Sequence, residues 1–119
     1  MAGFRGLKVY ERSYKLVVEI YETTKEFPKE ETYAMTSQLR RAAMSIPLNI
    51  AEGYAKRESQ SEFRRFLMMA VGSSAEISVL LDLSVDLRYM GRERHGQLYA
   101  AYEEVGKMLT GLVSKLKTP

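Results

Sequence analysis

The sequence predicts an all-α protein, an antiparallel up-and-down four-helix bundle. Apolar residues recur at three-and-four spacing through four long segments, the breaks between them are short and marked by Pro, Gly or Ser, and no run alternates as a half-buried strand would. At 119 residues the chain is expected to form one domain, 1–119, around a single continuous core.

The first helix is expected from Leu7 to Glu26, with Leu7, Tyr10, Tyr14, Val17, Tyr21 and Thr24 on its inner face. Phe27-Pro28 stops it. Pro28 with Glu30 and Glu31 suits the first turn of a second helix, where a missing N–H costs nothing and acids meet the positive end of the dipole. That helix ends at Gly53 or a turn later. Ser59-Gln-Ser-Glu62 has the form of a capping box and starts the third. Its inner face reads Phe63, Phe66, Leu67, Ala70, Ser74, Ile77, Leu81, Ser84 and Leu87, with Gly91 as a left-handed stop. Gly72-Ser73-Ser74 is expected to let a neighbouring helix approach closely. The fourth helix, Arg92 to Lys117, presents Leu98, Tyr102, Val105, Met108, Leu109, Leu112 and Leu116. Lys115 and Lys117 complement its negative C-terminal end.

Gln38–Gly53 is the unusual stretch. Leu39, Ala43, Ile46, Ile50 and Tyr54 form a buried line, while Arg41, Ser45, Asn49, Glu52 and Lys56 repeat the spacing one step around the cylinder. Pro47 has no N–H and crowds the Ala43 carbonyl, so helix two is expected to kink there. The polar file Arg41, Ser45, Asn49 and Glu52 is read as a hydrogen-bonded network supporting the kink or a subunit contact, with Arg41 and Glu52 as its charged pair. A ligand pocket is the competing reading. Val18, Met68, Met69, Leu80 and Leu83 fall off the core stripes, which suggests a subunit interface.

Composition narrows the chemistry. There is no Cys and one His, so disulfides, thiolate zinc sites and thiol nucleophiles drop out. His95 has no glutamate three residues before it, which removes the Glu-x-x-His spacing of di-iron bundles. No Gly-rich phosphate loop and no Ser-His-Asp set is present. The expectation is a non-enzyme with no metal and no cofactor. Met1–Lys8 lacks an apolar leader core, and no uncharged run is longer than Phe66–Ala75, which falls short of the ~20 residues that span a bilayer. A cytoplasmic setting without a membrane partner follows as an expectation.

The net charge is +3 and uneven. From Arg40 to Arg65 six bases, Arg40, Arg41, Lys56, Arg57, Arg64 and Arg65, face three acids, Glu52, Glu58 and Glu62. Guanidinium forks suit phosphate oxygens, so these six are the candidate nucleic-acid-binding residues; a solvated rim balanced by Glu58 and Glu62 is the plainer alternative. Antiparallel packing is expected to gather the last four at one end. On the first helix Arg5, Lys8, Arg12 and Lys15 precede Glu19, Glu22 and Glu26 on one stripe, an order that opposes the helix dipole. Either the basic end meets an acidic partner, or Glu11-Lys15 and Lys15-Glu19 pair on a wet surface.

Several separated blocks carry a family resemblance: Phe4-Arg-Gly-Leu-Lys-Val9, Phe27-Pro28, Glu31-Thr-Tyr33, Gln38-Leu-Arg-Arg-Ala-Ala43, Ser45-Ile46, Asn49-Ile-Ala-Glu-Gly53, Phe63-Arg-Arg-Phe-Leu67 and Ala70-Val-Gly-Ser73. Together they resemble the four-helix-bundle family of 23S ribosomal RNA intervening-sequence proteins over nearly the full length. The chain is also similar to the basic accessory protein of diversity-generating retroelements. The resemblance implies a ring-shaped homopentamer and an association with ribosomal RNA genes, hence RNA or DNA as a partner. A protein-interaction scaffold with no nucleic-acid role is the alternative from another class.

Overall fold

The computed structural model of the protein describes residues 3–116, and Lys117 lies outside them. A 3-10 turn at Gly3–Gly6 leads into α1 (Lys8–Thr24), a second 3-10 turn at Lys29–Glu31 leads into α2 (Met35–Ala55), and α3 (Gln60–Asp86) and α4 (Arg92–Ser114) complete the bundle. No strand occurs among the described residues. The long axis measures 45 Å and the two others 22 and 21 Å. Contacts run α1–α2, α2–α3, α3–α4 and, more thinly, α1–α4, so α1 and α3 stand diagonally. Leu39, Ile46, Ile50, Leu67, Ile77, Leu81, Val105 and Leu109 are fully buried along the shared axis, each such aliphatic chain contributing about 1.5–3 kcal/mol.

Helix α2 passes through Pro47 without interruption. Its start lies later than the proline predicts. Lys29–Glu31 forms a single 3-10 turn, and Glu31 Oε1 accepts from the Met35 N–H at 3.2 Å, capping α2 from outside. At Ser59 the capping box is half made. Ser59 Oγ accepts from the Glu62 N–H at 3.2 Å, but the Glu62 carboxylate turns forward to Arg65 instead, because a guanidinium offers two charged donors where the backbone offers one neutral donor.

Helix α3 stops before Gly91. Arg88 holds the left-handed conformation at φ 67°, with Tyr89 N–H bonded to the Ser84 carbonyl and Arg88 N–H to the Val85 carbonyl. This is the Schellman arrangement with arginine where glycine is usual. Gly91 instead is the extended N-cap of α4 at φ −78°, and Leu87, expected inside, is exposed.

The core line of α1 is Val9, Ser13, Leu16, Ile20 and Thr24, one step around from the aromatic stripe that the spacing favours. Ser13 and Thr24 go inside because their hydroxyls donate back to the Tyr10 and Ile20 carbonyls at 3.0 and 2.7 Å, which satisfies both donors within α1. Tyr14 is left 56% exposed. Of Gly72-Ser73-Ser74, Gly72 faces open space, and the close approaches are made by Ser74 to Gly106 of α4 and by Ser73 to Ser45 of α2.

Gly53 is where a side chain has no room. A Cβ there would lie 2.8 Å from Phe66 Cβ and 3.3 Å from the Phe63 carbonyl. Gly53→Ala is expected to lose about 1–3 kcal/mol by overpacking, despite the better helix propensity of alanine, and denaturant titration checks it. Arg88→Gly relieves the left-handed strain, and a gain of about 1 kcal/mol appears as a rise of several degrees in Tm.

Candidate nucleic-acid interface

The turn between α2 and α3 occupies Lys56–Ser59. Gly53 lets Phe63 and Phe66 close against α2 beneath it, and the turn's cations lie on the resulting aromatic faces. The Arg57 guanidinium sits 4.1 Å over the Tyr54 ring, with Nη1 donating to the Tyr54 carbonyl at 3.0 Å. Lys56 and Arg65 both cover Phe66, at 4.8 and 4.5 Å from its centroid. Tyr54 meets Phe63 edge-on at 6.1 Å. Each cation–π contact is worth about 0.5–1 kcal/mol at an exposed site.

These cations differ in how far neighbouring acids balance them. Lys56 is 3.7 Å from Glu52, and Arg65 is held by both oxygens of Glu62 at 3.0 and 3.2 Å. The Arg65 hydrogen bond holds the Glu62 carboxyl below its ordinary range. Both pairs are solvent-exposed and contribute little to stability. Arg57 and Arg64 have no carboxylate within ion-pair distance among the described residues. Their charge is available to an anion from solution.

Antiparallel topology adds cations that are remote in sequence. The start of α1 and the end of α4 lie at the same end as the α2–α3 turn. With each helix divided at its midpoint, this end carries Arg5, Lys8, Arg12, Lys15, Lys56, Arg57, Arg64, Arg65, Lys107 and Lys115 against Glu11, Glu52, Glu58, Glu62 and Glu104. The opposite end is acidic in balance, with Glu22, Glu26, Glu30, Glu31, Asp82 and Asp86 among its acids. A charge excess spread thinly along the chain therefore becomes an axial gradient along 45 Å.

Four of the six candidate bases, Lys56, Arg57, Arg64 and Arg65, meet at this basic end. Arg40 and Arg41 do not. They stand about four turns up α2, roughly 24 Å from Lys56 at 1.5 Å per residue. Arg40 is engaged there as a strut, with Nε donating to Thr24 Oγ1 at 2.9 Å and its guanidinium 4.4 Å over Tyr21. Arg41 is exposed.

Only the middle of the polar file forms a network. Asn49 Nδ2 donates to the Ser45 carbonyl at 2.8 Å and to Ser45 Oγ at 3.0 Å, and Ser45 Oγ shares a hydrogen bond with Ser73 Oγ at 2.7 Å. Arg41 and Glu52 do not pair, because three turns separate them and Glu52 reaches Lys56. The charges of α1 likewise bypass the expected in-helix partners. Arg12 pairs with Glu104, and Glu19 with Arg94 at 3.3 Å, stapling the thin α1–α4 seam. His95 Nε2 lies 2.8 Å from Asp82 Oδ1 on α3. No group of His, Asp or Glu able to hold a metal ion occurs among the described residues.

Two apolar faces remain uncovered. Tyr10, Tyr14, Val17 and Val18 of α1 with Met44, Pro47, Leu48 and Ala51 of α2, together with Phe4, line a groove of about 400 Å³. On α3, Met68, Met69, Val79, Leu83 and Leu87 project outward as a ridge. That surplus makes α3 long and apolar enough, by length and composition, to cross a membrane, yet its other face is packed into the bundle core.

A solved structure from Bacteroides thetaiotaomicron, a protein of unknown function from the S23 ribosomal protein family, superposes with a TM-score of 0.81 at 25% identity, covering 89% of this chain and 95% of that one. No functionally curated protein matches the chain. The profile of the 23S rRNA-intervening sequence proteins matches residues 5–111, and with nearly the whole bundle spanned, this chain belongs to that family.

Proposed function

We propose that the protein is a non-enzymatic, cytoplasmic nucleic-acid-binding bundle that works as a homo-oligomer, with RNA of the ribosomal locus as its partner and no membrane role. The observation that carries this reading is the axial charge gradient, with Arg57 and Arg64 unpaired among the described residues at its basic end. Phosphate contacts from such cations position a backbone without reading sequence. The family's name supplies the ribosomal RNA context.

Oligomerisation rests on the two uncovered apolar faces. Leu48 and Val79 are 65% and 59% exposed, and the groove and the ridge lie on different sides of the molecule, since α3 is diagonal to α1. A second copy of the chain is the occupant that fits both. The α3 ridge of one copy seats in the α1–α2 groove of the next, a heterologous contact that closes into a ring when the rotation allows. Five copies is the number the family resemblance implies. Cyclic symmetry then sets every basic end on one face, and multivalency strengthens a weak patch.

On single-stranded RNA, log affinity is expected to fall with log salt at about −0.7 per phosphate contact, and Arg57→Ala with Arg64→Ala to reduce that slope by about two contacts. Salt-insensitive binding, or none at low salt, favours the protein-interaction scaffold instead. Val79→Glu with Leu83→Glu is expected to give a folded monomer in sedimentation; an unchanged oligomer overturns the proposed contact.

A further inference from the structure

We infer that the basic end holds an unpaired nucleobase on the Arg57–Tyr54 stack, so that the protein selects single-stranded over duplex nucleic acid; this rests on the nucleic-acid reading above and names the form of its partner. Arg57 is pinned in place by two contacts, its guanidinium 4.1 Å over the Tyr54 ring and its Nη1 on the Tyr54 carbonyl at 3.0 Å. One face of a flat, weakly hydrated cation is thus spent on the ring, and the other is turned away from it, on an exposed residue with no carboxylate within ion-pair distance among the described residues. A guanidinium so held is a platform for the face of a base.

A second stack of the same kind stands nearby. Arg5 lies 4.6 Å over Phe4, and the Gly3 turn just before it packs toward the edge of the Tyr54 ring. Phe4 is braced edge-on by Tyr10 at 4.9 Å, so this platform also has a fixed base. Phosphate recognition alone needs neither ring, since lysines on flexible stems serve it as well. Bases in a duplex are stacked on one another and offer no free face, whereas those of loops and single strands do.

The test compares a single-stranded RNA with a duplex of the same length, by fluorescence anisotropy across a salt series, for the wild type, Arg57→Lys and Tyr54→Leu. Arg57→Lys keeps the charge and removes the plane. It is expected to weaken single-strand binding about tenfold, leave duplex binding within about twofold and leave the salt slope unchanged. A 2-aminopurine in the single strand is expected to be quenched by the wild type and not by Arg57→Lys. Tyr54→Leu is expected to match Arg57→Lys, with retained helical circular dichroism confirming its fold. Equal wild-type affinity for the two forms with a silent Arg57→Lys overturns the stack and leaves the phosphate reading standing. Equal weakening of both forms by Arg57→Lys means that Arg57 acts through phosphate alone and also overturns the stack. No binding to either form overturns both.

Discussion

The bundle depends on how closely α2 and α3 meet at Gly53. A four-residue turn reverses the chain immediately afterwards, so the first aromatic pair of α3 has to pack against the last turn of α2 with no space for a Cβ between them. Phe66 is buried there although two arginines, Arg64 and Arg65, directly precede it. Lys56 and Arg65 cover what remains of its ring, so two cations are placed by packing on an aromatic face as well as by their pairing with Glu52 and Glu62. One missing side chain thereby sets the helix separation, closes the core at that end and decides where the positive charge sits. Farther along the same seam the Asn49, Ser45 and Ser73 bonds hold register at the level where Pro47 withholds a backbone donor.

The opposite seam is built differently. Between α1 and α4 two ion pairs bridge the surface, but exposed pairs of this kind contribute only about 0–1 kcal/mol each. Stability here comes from Leu16, Ile20, Leu98 and Leu109, all buried. Tyr102 works against it. The side chain is 1% exposed and its hydroxyl has no partner in the described structure. Burial, reinforced by the Glu19 charge, pushes the phenol above its ordinary range, so it stays neutral at physiological pH. A buried hydroxyl without a hydrogen-bond partner is a cost set against the apolar area that the ring buries.

Much of the fold was legible because the helices of such a bundle are written in apolar spacing and in capping residues that act locally. The inner faces of α3 and α4 read correctly from Phe66 to Ser84 and from Leu98 to Val105. Helix α1 misled except at Thr24, since its outer stripe of tyrosines is more apolar in appearance than its true core line, where Ser13 hides its polarity in a back-bond that spacing does not reveal. The stop of α3 was invisible for a similar reason: Gly91 advertises a left-handed turn, and Arg88 supplies it. Part of the candidate site was legible, because Lys56, Arg57, Arg64 and Arg65 are close in sequence. Arg40 looked equivalent in a linear window, yet helical rise carries it to another level, where Thr24 and Tyr21 engage it. Arg5, Lys8, Lys107 and Lys115 join the basic end through topology, a signal available once antiparallel order is assumed and the chain ends are folded onto the central turn.

The charge gradient and the apolar faces bear on one another. A two-fold dimer with its axis across the bundle would lay the basic end of one copy beside the acidic end of the other and cancel the field. The proposed ring of heterologous contacts would instead set like against like, so its copies would repel at the basic face and hydrophobic burial of the α3 ridge would have to exceed that repulsion. A polyanion bound across the face removes the repulsion as it binds. Under the proposed function, assembly and nucleic-acid binding are therefore thermodynamically linked, each tightening the other by the same factor. The apolar groove of α1 and α2 would then influence affinity through assembly, where Arg57 would do so by contact.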